Sequence, residues 1–73
     1  MGNDAYSISD WIRDLRESGD YDRVPSYAEG WRGCAEGRIP ARRLSRGWQI
    51  ARADRDRAAA ALGLRRHQPQ SAA

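Results

Sequence analysis

Ser26-Tyr27-Ala28-Glu29-Gly30-Trp31-Arg32-Gly33-Cys34-Ala35-Glu36-Gly37-Arg38-Ile39-Pro40 is the stretch on which the fold turns. Ser26 follows Pro25 and stands three positions before Glu29, the S-x-x-E spacing of a capping box. The Ser26 hydroxyl accepts from the Glu29 amide and the Glu29 carboxylate reaches back, which starts a helix at Ser26 and carries it to Glu36. Gly37 takes the left-handed conformation that ends helices. Tyr27, Trp31 and Cys34 share one face, flanked by Ala28 and Ala35, and helical phase centres Trp31 on the core. Glu29, Arg32, Gly33 and Glu36 then face away. Gly30 and Gly33 each cost this helix about 1 kcal/mol relative to alanine. Either a neighbour approaches it closely there, or it is marginally stable by itself.

Upstream, Ile8, Trp11, Ile12 and Leu15 recur at i, i+3, i+4 and i+7, an apolar stripe that predicts a helix. Ser7 or Ser9 caps it, Asp10 lies in its first turn, and Gly19 stops it near Ser18. A loop rich in Asp, Gly and Pro follows to Pro25, with Tyr21 and Val24 as anchors. Downstream, two short β-prone runs surround Ser45-Arg46-Gly47 and predict a hairpin. Pro40 confines the first run to a sheet edge or an entry position. Leu44, Trp48 and Ile50 are expected to point inward, with Arg43 and Arg46 outward or at the tip. An Ala-rich helix follows from about Ala53 to Leu62, and Gly63 ends it.

The expected fold is mostly α with a small β hairpin, in the order helix, loop, helix, two-stranded wing, helix. That is the order of a winged helix. The predicted domain runs from residue 7 to 63. Residues 1–6 are expected to fray, and residues 64–73 to form a disordered polar tail.

Composition narrows the function. The chain has 73 residues, nine Val, Ile and Leu together, no Phe, and three each of Trp and Tyr. A chain this short buries little core and is marginally stable alone. An enzyme with a deep substrate pocket is therefore not expected. Cys34 is the only cysteine and His67 the only histidine, so neither a disulfide nor a Cys/His metal cluster has enough ligands, and no cofactor is expected. Cys34 reads as a small buried hydrophobe. No apolar run reaches the roughly 18 residues of a membrane helix, and the opening residues do not form a signal segment, which leaves no membrane role and a cytoplasmic location.

All 13 basic residues are arginine, and the net charge is +3. Residues 1–30 carry seven acids against three arginines, a net of −4, while residues 31–73 carry ten arginines against three acids, a net of +7. The split suggests one end that faces a polyanion and an opposite acidic end. Guanidinium suits phosphate and guanine, which its planar fork of donors matches.

Two stretches and the wing resemble the phage excisionases, or recombination directionality factors, whose fold is related to the MerR-type winged helix. Tyr6-Ser7-Ile8-Ser9-Asp10-Trp11 is similar to the opening of the lambdoid excisionase. Ser26 through Pro40 resembles the family's recognition helix with its Glu-Gly-Arg-aliphatic-Pro exit. Arg43-Leu44-Ser45-Arg46-Gly47-Trp48-Gln49-Ile50 is similar to the basic wing, and Asp54 stands where the family begins its closing helix with an acid. The resemblance spans roughly residues 6–62. It departs at Gly30 and Gly33, where the family has large apolar residues. By the family's register Ala28, Trp31, Arg32 and Ala35 lie nearer the DNA, so the two readings of Trp31 differ.

The resemblance implies a protein that binds and bends attachment-site DNA in a bacterial host cell, associates head to tail on it, and assists a phage tyrosine integrase in excision. The helix from Ser26 would enter the major groove. Its amides at Ser26, Tyr27 and Ala28 would hold a phosphate, and Arg32 would read guanine, unless it pairs with Glu29 or Glu36. The wing would bring Arg42, Arg43, Ser45, Arg46 and Gly47 to the adjacent minor groove, with Arg46 inserted. Arg52, Arg55 and Arg57 are expected to be solvated helix-face charges. A small MerR-like or BldC-like transcriptional regulator is the alternative. A protein-binding adaptor using the acidic helix Ser9–Glu17 is a third reading.

Overall fold

The computed structural model describes residues 4–45 and 47–66. These residues form three helices and a three-stranded antiparallel sheet, a mixed α/β fold. The chain runs through β1 (Ala5–Ser7), α1 (Ile8–Ser18), α2 (Tyr27–Ala35), β2 (Arg42–Leu44), β3 (Gly47–Ala51), a 3-10 turn (Arg52–Asp54) and α3 (Arg55–Ala61).

The third strand is an addition to the expected hairpin. β1 pairs with β3, placing Tyr6 opposite Ile50, so the sheet order is β1-β3-β2. The expected fraying is therefore not found in residues 4–6: Tyr6 is buried, and the Asp4 carbonyl accepts from the Arg52 amide at 2.7 Å. A three-residue strand gives almost no local periodicity, and its partner lies more than forty positions away.

α1 forms as its stripe dictates. The Ser7 hydroxyl accepts from the Asp10 amide at 3.1 Å, and Gly19, at φ 67°, closes the helix by donating to the Leu15 carbonyl. Ile8, Trp11, Ile12 and Leu15 are all buried, and Trp11 is fully so. They meet Tyr6 and Ile50 from the sheet, Cys34 from α2, Ile39, Ala58 and Ala59 from α3, and Leu64. Tyr21 and Val24 pack at the margin of this core, as loop anchors should.

α2 is rotated from the expected phase. Its buried residues are Gly30, Gly33 and Cys34, whereas Trp31 is 45% exposed and Tyr27 55%. The glycines explain this. A Cβ on Gly30 would stand 2.9 Å from Ile8 Cγ2, and one on Gly33 would stand 2.6 Å from Ile39 Cδ1. The helix lies so close to its neighbours that only hydrogen fits on that face. Trp11, inserted from α1, supplies the volume that Trp31 was expected to supply.

Two further expectations change at the C-terminal side. Leu64 is buried, the Arg65 carbonyl accepts from the Asp22 amide at 3.0 Å, and Arg66 bridges to Tyr21, so the packed domain extends at least to residue 66. Residues 67–73 of the expected tail, including His67, lie outside the described residues. Arg55 is not a solvated charge. Its side chain is 18% exposed and reaches Asp20 at 2.6 Å, Asp56 at 3.1 Å and Asp14 at 3.9 Å. Tyr21 Oη donates to Asp56 at 2.7 Å, Arg66 pairs with Asp56 at 3.5 Å, and Trp11 Nε1 donates to the Arg55 carbonyl at 3.2 Å. This network ties α1, the interhelical loop, α3 and the segment after it into one body. Arg57 is exposed and pairs with Asp54, and Arg52 lies 4.4 Å over the Tyr6 ring.

Candidate nucleic-acid interface

The capping box is complete. Ser26 Oγ accepts from the Glu29 amide and Glu29 Oε1 accepts from the Ser26 amide, each at 3.1 Å. The Ser26 amide is thereby used within the chain and is not open to a phosphate. Those of Tyr27 and Ala28, at the first positions of the helix, are the ones the intrahelical ladder leaves unused. A carboxylate already sits at this helix end. Hydrogen bonds from Arg23, and then from the Ser26 amide, hold the Glu29 carboxyl below its ordinary pKa. Arg23 grips it with both terminal nitrogens, at 3.1 and 3.3 Å.

Arg32 has acids at i−3 and i+4, but neither pairs with it. Glu29 is engaged by Arg23, and Glu36 pairs with Arg38 Nε at 3.3 Å. Among the described residues Arg32 has no ion pair and is exposed. It shares the outward face of α2 with Tyr27, Ala28 and Trp31, which together line an open hollow of about 490 Å³. Ala35 is also exposed. Trp31 is therefore exposed on this face and is not centred on the core as helical phase predicts. The signal available in sequence was the glycine pair: small residues at i and i+3 mark a close-packed face as well as a large apolar stripe does.

The β2–β3 hairpin has Leu44 opposite Gly47, Arg43 opposite Trp48 and Arg42 opposite Gln49. Directly opposed residues share a face, so Arg43 lies on the side of Trp48 and Ile50. Its guanidinium stands 5.3 Å from the Trp48 ring centroid, a cation–π contact. Leu44 takes the other face and is 41% exposed. Leu44 reverses the expectation, because it is out of step with Trp48 and Ile50 once the register is fixed, while Arg43 is exposed as expected although it lies on the Trp48 face. Trp48 is half-buried and Ile50 fully buried, as expected. Arg42 and Ser45 are exposed, and Gly47 has φ 133°, a backbone conformation open chiefly to glycine. Arg42 and Arg43 have no ion pair among the described residues. Arg46 lies outside the described residues.

Cys34 is buried among apolar groups, and burial pushes its thiol above the ordinary pKa. It is unsuited to thiolate chemistry there. No helix among the described residues is long and apolar enough to cross a membrane. No family model, curated protein or solved structure matches the chain.

Proposed function

We propose that the chain is a winged-helix protein that binds specific double-stranded DNA, with α2 in the major groove and the β2–β3 hairpin as its wing. The observation that carries this reading is Arg32: it is exposed on the outward face of α2, and both acids within its reach are held by other arginines. A guanidinium left without a carboxylate partner, beside two amides at the head of the helix, fits a nucleic-acid edge. Arg42 and Arg43, on opposite faces of β2, add two exposed guanidinium groups to the hairpin. The excisionase role rests on the resemblance of residues 6–62. In it the protein binds tandem attachment-site repeats head to tail, bends the DNA and assists a tyrosine integrase, without catalytic residues of its own.

The test is fluorescence anisotropy on labelled duplexes across a salt titration. Neutralisation of about four to six phosphates gives a log–log slope of roughly −4 to −5. A slope near zero on every duplex would remove the DNA reading. On tandem sites the excisionase role requires cooperative, spacing-dependent loading of a chain that is monomeric in free solution. A tight symmetric dimer would favour the regulator instead.

A further inference from the structure

Tyr27 and Trp31 are the two most exposed large apolar side chains among the described residues. The core does not need them, since Trp11 fills the space beside Gly30. Neither Tyr27 Oη nor Trp31 Nε1 has a hydrogen-bond partner among the described residues. Two amphipathic rings, one turn apart, thus present apolar faces and unused donors to the same surface. Between them and Arg32 the side chain is only that of Ala28, which leaves the hollow open.

We infer that this face reads a thymine next to a guanine: the hollow floored by Ala28 and walled by Tyr27 and Trp31 takes the thymine 5-methyl group, while Arg32 takes guanine O6 and N7. The inference rests on the DNA-binding reading and adds the base step to it. Adjacency is supported by the hollow itself, which Trp31 and Arg32 line together, so the groups they meet are neighbours. The major groove presents a methyl group only at thymine, and a paired O6/N7 acceptor only at guanine. A purely apolar partner would satisfy the rings but strand Arg32, whose burial without an acceptor is costly. A major-groove edge satisfies both, and Tyr27 Oη and Trp31 Nε1 find acceptors on bases or phosphates.

The experiment starts from the full chain and a random duplex library. Selected duplexes are then remade with deoxyuridine in place of thymidine, which removes the 5-methyl group and nothing else. A selected motif with adjacent guanine and thymine is expected. Loss of the buried methyl should weaken wild-type binding roughly three- to fivefold. Trp31→Ala should weaken binding and abolish the difference between thymidine and deoxyuridine. Arg32→Ala should relax the guanine while keeping that difference. Both side chains are exposed, so the variants are expected to fold, and circular dichroism checks it. A motif without thymine, equal affinity for the deoxyuridine duplex, or an undiminished methyl effect in Trp31→Ala would each overturn the inference while leaving DNA binding intact. So would a Trp31→Ala variant that keeps the wild-type motif and loses only self-association in sedimentation, since the rings would then serve a second copy. No retained duplex at any salt would sink the DNA-binding reading and this inference together.

Discussion

Replacing Arg55 by methionine removes the cation that Asp14, Asp20 and Asp56 share, while a side chain of similar length keeps the packing of its stem. The guanidinium is mostly shielded, at 18% exposure, but its carboxylate partners are 37–49% exposed. The loss therefore falls between the 3–5 kcal/mol of breaking a buried pair and the 0–1 kcal/mol of a surface pair, at about 1.5–2.5 kcal/mol. In a domain of this size each kcal/mol moves the melting temperature by about 4–8 °C, so a drop of roughly 6–20 °C is expected. The assay is thermal unfolding by circular dichroism at a series of pH values. Asp20 is held below the ordinary value of 3.8 chiefly by its hydrogen bond from Arg55. Asp56 is held down first by the Tyr21 hydroxyl and then by Arg55. A carboxyl with a depressed folded pKa adds stability that is present above its unfolded value and is lost as pH falls through the folded one. The wild type should thus lose stability below about pH 4, the variant should lose less, and the gap between them should close. A gap of constant size from neutral to acid pH would refute the electrostatic account. Equal melting temperatures at neutral pH would refute the network.

Two more outcomes follow from the core. Gly30→Ala gains about 1 kcal/mol of helix propensity but overpacks a site where Ile8 Cγ2 would be 2.9 Å away and the fully buried Trp11 stands behind it. Ile8 is β-branched and stiff in a helix, and overpacking costs about 1–3 kcal/mol, so urea titration should show a net loss; a more stable variant would mean that the helices are not in close contact. Tyr6 has its phenol pKa pushed well above 10.0, first by burial and then by donating to Asp14 at 3.0 Å. A raised folded pKa adds stability that is full below the unfolded value and lost as pH rises toward the folded one. Tyr6→Phe should cost about 1 kcal/mol at neutral pH and flatten the alkaline decline seen in denaturant titrations, leaving the smaller contribution of Tyr21, whose phenol is also raised. An unchanged alkaline slope would place the Tyr6 hydroxyl in solvent.

What was legible in the sequence is local. The α1 stripe, the Ser26–Glu29 box, the Gly37 exit and the turn before Gly47 are all signals within a few residues, and each element is found where those signals stand. What was not legible depends on partners distant in the chain. β1 exists only because β3 is there to pair with it. Arg55 becomes a structural cation only when α1 and the interhelical loop bring Asp14 and Asp20 to it. The phase of α2 was misjudged for a different reason. Ranking its faces by side-chain size favours Trp31, whereas the buried face was chosen by distance of approach, which favours glycine. The same misjudgement hid the exposed rings of the candidate site.

The charge split along the chain also changes meaning once folded. Read linearly, it separates an acidic half from a basic half. In space Arg55 from the basic half lies among Asp14, Asp20 and Asp56, Arg66 lies against Asp56, and Arg23 from the acidic half lies on Glu29. Only the Arg55 contacts with Asp14 and Asp20 cross between the halves; the other pairs lie within one half each and leave the linear contrast as it was. The acidic end that the linear split suggests is smaller by that much, because Asp14 and Asp20 already face a cation within the chain. Arg16, Arg32, Arg42, Arg43 and Arg65 have no carboxylate partner among the described residues, and three of these five, Arg32, Arg42 and Arg43, lie on α2 and β2. A polyanion that replaces no internal pair gains the full benefit of each contact, while one that must first break Arg55 from its acids does not. The basic surface open to a polyanion is therefore defined by which arginines the fold leaves unpaired, not by where arginine is most frequent in the chain.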